Sequence, residues 1–333
     1  MAGLSQGNSN NNRNVNKMFH SVFSTLYLWF RPSILAFFKP NIPWNLRWRL
    51  LVLQPVTLLS NAIGALPYVF SSPYTVEYIT TSPGVSHKVL VFKPSGAGRG
   101  RRLRPLHVDI HGGAFIGGLP ENTTVFDERV ARSTGAVVVS ISYRYAPEHV
   151  FPTAIDDVDA TIRWLHENAE ARWGADPTLM TLSGSSAGGN LALAATQQKP
   201  CHAPAPTAIK AIVTFYAVID LRLKPIEKPR PASFPKRDPL AVLLPLYDAY
   251  AGPVRAKNMA NPRMSPALAA RETLPDRILL VVAGLDILVA EQMAFAERVN
   301  REDQQGGESG RVDVFYDEEA FHGYLERECG PYE

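Results

Sequence analysis

From about residue 73 onward, short runs of apolar, β-branched residues alternate with stretches in which apolar residues recur every three or four positions. The runs predict strands over residues 74–80, 88–93, 106–110, 136–142, 179–183, 209–215, 278–282 and 312–316. The longer-period stretches predict helices over 122–133, 154–168, 187–197 and 291–301. Several strands, such as the one containing Val137-Val138-Val139, are apolar almost without interruption, as a sheet covered on both faces requires. The alternation predicts an α/β fold with a mostly parallel central sheet and helices on both faces. Residues 222–240 hold five prolines, at 225, 229, 231, 235 and 239, and are expected to cross the surface as an irregular insertion.

The N-terminal pattern is different. Residues 5–16 are mostly Asn, Ser and Gln, too polar to offset the entropy of ordering, so residues 1–17 are expected to form a disordered tail. Phe19, Val22, Phe23, Leu26, Tyr27 and Phe30 then share one helical face, which something apolar should cover. Arg31-Pro32, Pro40 and Pro43 interrupt the run, which argues against a membrane span, and no small-residue cleavage site follows to mark a secretory signal. Pro55, Gly64 and Pro67 divide the next uncharged stretch, 50–76, into what reads as two short pieces. Residues 18–72 are therefore expected to form a helical cap. Peripheral membrane contact through Trp29, Phe37, Phe38, Trp44 and Trp48 is left open. Residues 73–333 would form the main domain, with a cap insertion around 220–262.

Composition narrows the partners. Of 333 residues, 46% are hydrophobic and 20% charged, an ordinary globular balance, and 34 Lys and Arg against 31 Asp and Glu give a net charge of +3. That is too little to favour nucleic acid, so a small molecule is the expected ligand. Two cysteines, Cys201 and Cys329, provide neither a disulfide framework nor a zinc site.

The chemistry concentrates around Gly184-Ser185-Ser186-Ala187-Gly188, a G-x-S-x-G pattern between a predicted strand and a predicted helix. A strand-to-helix turn with glycines on both sides can be sharp enough to present Ser186 as a nucleophile beside a helix N-terminus. His111-Gly112-Gly113-Ala114-Phe115 follows another strand and offers exposed amides for an oxyanion, from Gly113, Ala114 and Ala187, with Gly112 as a further candidate. A serine needs a base, and the base an orienting acid. Asp286 follows the strand at 278–282 and His322 follows the last one, both at strand carboxyl ends, where open parallel sheets present their sites.

Taken together, HGGAF, Tyr143-Arg-Tyr-Ala-Pro-Glu, Phe151-Pro-Thr-Ala, GSSAGGN, AGLD and FHGY resemble the hormone-sensitive-lipase-like carboxylesterases of the α/β-hydrolase superfamily, over about two thirds of the chain. The resemblance implies the α/β-hydrolase fold and a cofactor-free serine hydrolase acting on small to medium carboxylic esters. It also implies a Ser186, Asp286, His322 triad and an oxyanion loop of Gly112, Gly113, Ala114 and Ala187. The large aromatic N-terminal cap is similar to caps of fungal members, some of which act in secondary metabolism. Two positions depart from the family pattern: Ser185 stands where an acidic residue is usual, and Ala114 replaces a third glycine.

Rival readings keep the nucleophile but take a thioester or lactone-forming substrate, or keep the fold as a non-catalytic binding module, against which His322 argues. His107 and His111 share a strand face, but with no third ligand they are read as structural rather than metal-binding. The Gly- and Arg-rich stretch from Gly96 to Arg104 is read as a solvated connection. No cofactor, metal or nucleic acid is expected. A cytoplasmic location is expected, and a homodimer is left open.

Overall fold

The computed structural model describes residues 25–68, 71–94, 103–198, 209–236, 238 and 241–324. The tail expected over 1–17, the helix start at 18–24, and most of the connection at 96–104 lie outside the described residues. The chain divides into two compact units, residues 1–62 and 63–333.

The first unit holds a helix over residues 25–38, α1, and most of α2, Trp44–Ala65. Two prolines expected to break helices lie inside them, Pro32 in α1 and Pro55 in α2, so residues 50–65 form one piece rather than two. A helical proline lacks an N–H and pushes away the carbonyl one turn back, so the freed groups need other partners. At Pro32 the Gln54 side chain supplies them: its Oε1 accepts from Ser33 N (3.0 Å) and its Nε2 donates to Trp29 O (2.8 Å). Pro55 is exposed on α2, as is Leu51 one turn back, whose carbonyl it leaves without a helical donor. The helix ends at Ala65, just before the 3-10 turn Leu66–Tyr68 that contains Pro67.

The second unit is built on an eight-stranded sheet: β1 Tyr74–Ser82, β2 Val85–Phe92, β3 Arg104–Ile110, β4 Val137–Ile141, β5 Ala175–Ser185, β6 Ala211–Phe215, β7 Arg277–Leu285 and β8 Val312–Phe321. Their order is β1-β2-β4-β3-β5-β6-β7-β8; β2 runs antiparallel to both neighbours and the rest are parallel. All five residues of β4 are buried, consistent with helices on both faces. Those helices are α3 Thr124–Thr134, α4 Thr153–Trp173, α5 Ala187–Ala195 and α7 Val289–Gln305, with a short α6 at Leu244–Tyr247. On α4 the buried residues Ala154, Ile155, Val158, Ile162, Leu165, Ala169 and Trp173 mark one 3.6-residue face. In the proline-rich stretch the only regular element among the described residues is the 3-10 turn Pro225–Glu227.

The connectivity positions the site. After β3 the chain goes to one side to make β4, then crosses back to place β5 on the other side of β3. Strand order therefore reverses between β3 and β5, and the loops leaving their carboxyl ends flank a crevice.

Candidate active site

β5 delivers Ser186 to that crevice in a strained turn. Ser186 has φ 52° and ψ −114°, a conformation costly for a residue with a Cβ. It is held there because Ser186 N donates to Phe215 O (2.8 Å) and Val218 N donates to Ser186 O (3.3 Å). The glycines follow from close approach. A Cβ on Gly188 would lie 1.8 Å from Ile110 O, and one on Gly184 would lie 2.4 Å from Gly188 O. The first contact also shows how near α5 comes to the loop that leaves β3.

That loop begins at His111. Gly113 has φ 118°, and a Cβ there would meet Gly117 O at 2.2 Å. Gly113 O accepts from Ile116 N (3.0 Å) and Gly117 N (3.2 Å), which turns the carbonyl into the loop. Ala114 and Phe115 follow at φ 52° and 60°. Ala187 is the first residue of α5, so its N–H has no acceptor within the helix. His111 braces the loop from below: Nδ1 donates to Gly112 O (2.7 Å), Nε2 lies 3.2 Å from Tyr145 Oη, and the ring stacks on Tyr143. Burial presses the His111 pKa down to about 4, so it is neutral at pH 7.

The three distant side chains meet. Ser186 Oγ donates to His322 Nε2 (2.9 Å), and His322 Nδ1 donates to Asp286 Oδ2 (2.7 Å). A carboxylate only accepts, so Asp286 fixes the tautomer that leaves Nε2 free to take a proton. Asp286 is itself held by Leu288 N, which donates to Oδ1 (3.2 Å). The arrangement joins a hydroxyl, a base able to accept its proton, and a buried acid that orients the base.

Several contributors lie outside the motifs. Tyr216, at φ 38° just after β6, lays its ring 5.0 Å from that of His322. Tyr250 stacks on Phe115 at 4.1 Å and 11°, and its carbonyl accepts from Phe151 N (3.0 Å). Aromatics at such positions look in sequence like ordinary core. His107 is also structural in kind: its nitrogens lie 2.8 Å from Thr181 Oγ1 and 2.9 Å from Ser183 Oγ, within β3 and β5 rather than in the loops that leave them. Ser185 Oγ is buried with no hydrogen-bond partner among the described residues.

Residues 107–326 match the family described as alpha/beta hydrolase fold. Among curated proteins, the chain is 35% identical to human arylacetamide deacetylase-like 2 over 152 residues, covering 44% of this chain and 37% of that protein. It is 35% identical to the carboxylesterase NlhH of Mycobacterium tuberculosis over 144 residues, 43% and 44% of the two chains. An arylesterase of Saccharolobus solfataricus matches over 195 residues at 31% identity, 58% of this chain and 61% of that one. The chain thus spans less than half the length of the first two relatives. Among solved structures, carboxyl esterase 2 of the mycorrhizal fungus Tuber melanosporum superposes with a TM-score of 0.62 at 23% identity, covering 78% and 80% of the two chains. The hyperthermophilic esterase of Pyrobaculum calidifontis does so with a TM-score of 0.63 at 24% identity, covering 90% of each. These two likenesses concern the fold.

Proposed function

The chain belongs to the α/β-hydrolase fold family, and we propose that it is a carboxylesterase-type hydrolase of small to medium esters, with Ser186 as nucleophile, His322 as base and Asp286 as orienting acid. His322 Nε2 takes the proton of Ser186 Oγ as that oxygen attacks the ester carbonyl. The carbonyl π pair moves onto its oxygen, which the N–H groups of Gly113, Ala114 and Ala187 stabilise, with Gly112 N–H as a further donor. The tetrahedral intermediate collapses, the alkoxide leaves with the proton from His322, and the acyl group stays on Ser186. Water, deprotonated by His322, then attacks the acyl carbon, and the acid departs as Ser186 recovers its proton.

The observation that carries this reading is the pair of contacts through one imidazole, 2.9 Å to Ser186 Oγ and 2.7 Å to Asp286 Oδ2. Esterases among the relatives support the choice of carboxylic esters. The test is hydrolysis of p-nitrophenyl butyrate by Ser186→Ala, with fluorophosphonate labelling of the unaltered enzyme and a peptide map. Turnover should fall to background and the label should sit on Ser186. Full residual turnover, or a label elsewhere, refutes the assignment.

A further inference from the structure

Charge is distributed very unevenly along this chain. Residues 1–76 contain six Lys and Arg and not one Asp or Glu, whereas the other 257 residues hold 28 Lys and Arg against 31 Asp and Glu. The same cationic segment carries uncovered apolar surface. On α1, Leu26, Tyr27, Phe30 and Phe37 are exposed at one helical face, and on α2 so are Val52, Val56 and Leu59. The turn joining the helices is the extreme case: Phe37 is 67% exposed, Phe38 77% and Trp44 77%, with the exposed Lys39 between them. An apolar surface of this kind on a folded chain marks an interaction site.

The turn is also rigidly built. The Arg47 guanidinium donates from Nε to Ile42 O (2.8 Å), from Nη1 to Ala36 O (2.8 Å) and from Nη2 to Pro40 O (2.9 Å) and Lys39 O (2.5 Å). One cation thus satisfies four carbonyls and ties together the backbone of the turn between the aromatics. Among the described residues no helix is long and apolar enough to cross a membrane.

We propose that this turn is a membrane-docking tip, with Phe37, Phe38 and Trp44 entering the headgroup region of a bilayer that carries anionic lipid. Phenylalanine and tryptophan favour that depth, and the acid-free, cationic segment is drawn to anionic headgroups. A second copy of the chain is the poorer occupant, since docking the same face on itself would bring together two segments that carry Lys and Arg but no Asp or Glu.

The test is co-sedimentation of the full chain with phosphatidylcholine vesicles, with and without one quarter phosphatidylserine. Binding should require phosphatidylserine, and Phe37→Ser/Phe38→Ser/Trp44→Ser should weaken it at least tenfold. Lys39→Glu should weaken it about fivefold and leave the aromatics in place. Should the triple variant lose its thermal transition, Trp44→Ser alone serves, with a threefold or greater loss expected. Failure of the unaltered chain to sediment, equal binding to vesicles of both kinds, or unchanged binding by the folded variants overturns the proposal. So does a concentration-dependent dimer that the same substitutions dissociate without vesicles.

Discussion

Replacing Asp286 by Asn tests the proposed site at the point where its geometry makes the most specific demand. Asp286 is buried and engages both oxygens, Oδ1 with Leu288 N and Oδ2 with His322 Nδ1. An asparagine has one oxygen, and Leu288 N–H can only donate, so the oxygen takes the Oδ1 place and the amide nitrogen faces the imidazole. The NH2 group also only donates. His322 must then accept at Nδ1 and carry its proton on Nε2, the nitrogen 2.9 Å from Ser186 Oγ. In that tautomer the base is blocked, although no side chain has changed size. The loss expected from a wrong tautomer is about 10^4 in kcat, or about 5.4 kcal/mol at 1.36 kcal/mol per decade. KM should move less than threefold, because Asp286 does not face the substrate. Steady-state hydrolysis of p-nitrophenyl butyrate, with circular dichroism to verify the fold, reads both numbers. A folded Asp286→Asn enzyme retaining more than a tenth of the kcat refutes the role given to Asp286.

The Phe115–Tyr250 stack offers a second handle, because it supports the loop that carries the proposed oxyanion amides. Tyr250→Leu should lower kcat about tenfold while KM stays within twofold, whereas Tyr250→Phe, which keeps the ring, should restore kcat; equal behaviour of the two variants refutes a positioning role. Stability should also respond to pH through the buried histidines. Burial presses His107 down to about 4, as it does His111, so between pH 6.5 and 4 the unfolded chain binds protons that the folded chain refuses, and this part of the stability is lost as pH falls. Asp127, Asp159 and Glu291, raised by burial, act in the opposite sense, so the diagnostic is a difference. Urea unfolding at pH 7, 6 and 5 should give His107→Gln a slope against pH smaller by up to about 1.4 kcal/mol per unit, and identical slopes refute the account.

The strands were legible because each is a local apolar run with turn residues at its ends, and all eight form where the runs lie. Their ends were less so: β5 reaches back to Ala175 and β8 on to Phe321, through residues whose pairing is decided by the neighbouring strand. Pro32 and Pro55 misled for a physical reason. Proline reports the loss of a hydrogen bond but not whether Gln54, twenty-odd residues away, can replace it. In the site, Ser186 and the Gly112–Ala114 loop have local signatures, because a sharp turn and close backbone approach dictate residue type. Asp286 and His322 have weak ones and could be singled out only by chain order and strand ends. Tyr216 and Tyr250 had none, since an aromatic ring serves a buried core as readily as it braces a histidine or a loop.

Backbone strain gives a view of the crevice that owes nothing to motifs. Among the described residues, the non-glycine residues with positive φ are Ala114, Phe115, Ser186 and Tyr216. Each such conformation costs on the order of 1–3 kcal/mol, and it persists only where surrounding structure over-determines it. All four lie in the loops after the carboxyl ends of β3, β5 and β6, which the sheet order makes successive neighbours. The over-determination is visible around them, beginning with Gly113 O, which accepts from Ile116 N and Gly117 N across the turn that contains Ala114 and Phe115. Gly188 brings α5 against Ile110 O, Tyr250 stacks on Phe115, Phe215 O holds Ser186 N, and Val281 O accepts from Tyr216 N at 2.7 Å. Strained residues of this kind cluster at sites that must be held in one geometry, which agrees with the proposed site. Their confinement to one rim means that the sheet holds the Ser186 hydroxyl, the Tyr216 ring beside the imidazole and the Ala114–Phe115 turn in conformations the chain would not favour unaided. Such preorganisation is what stabilising a transient oxyanion requires, because donors already in place need not reorganise as charge develops.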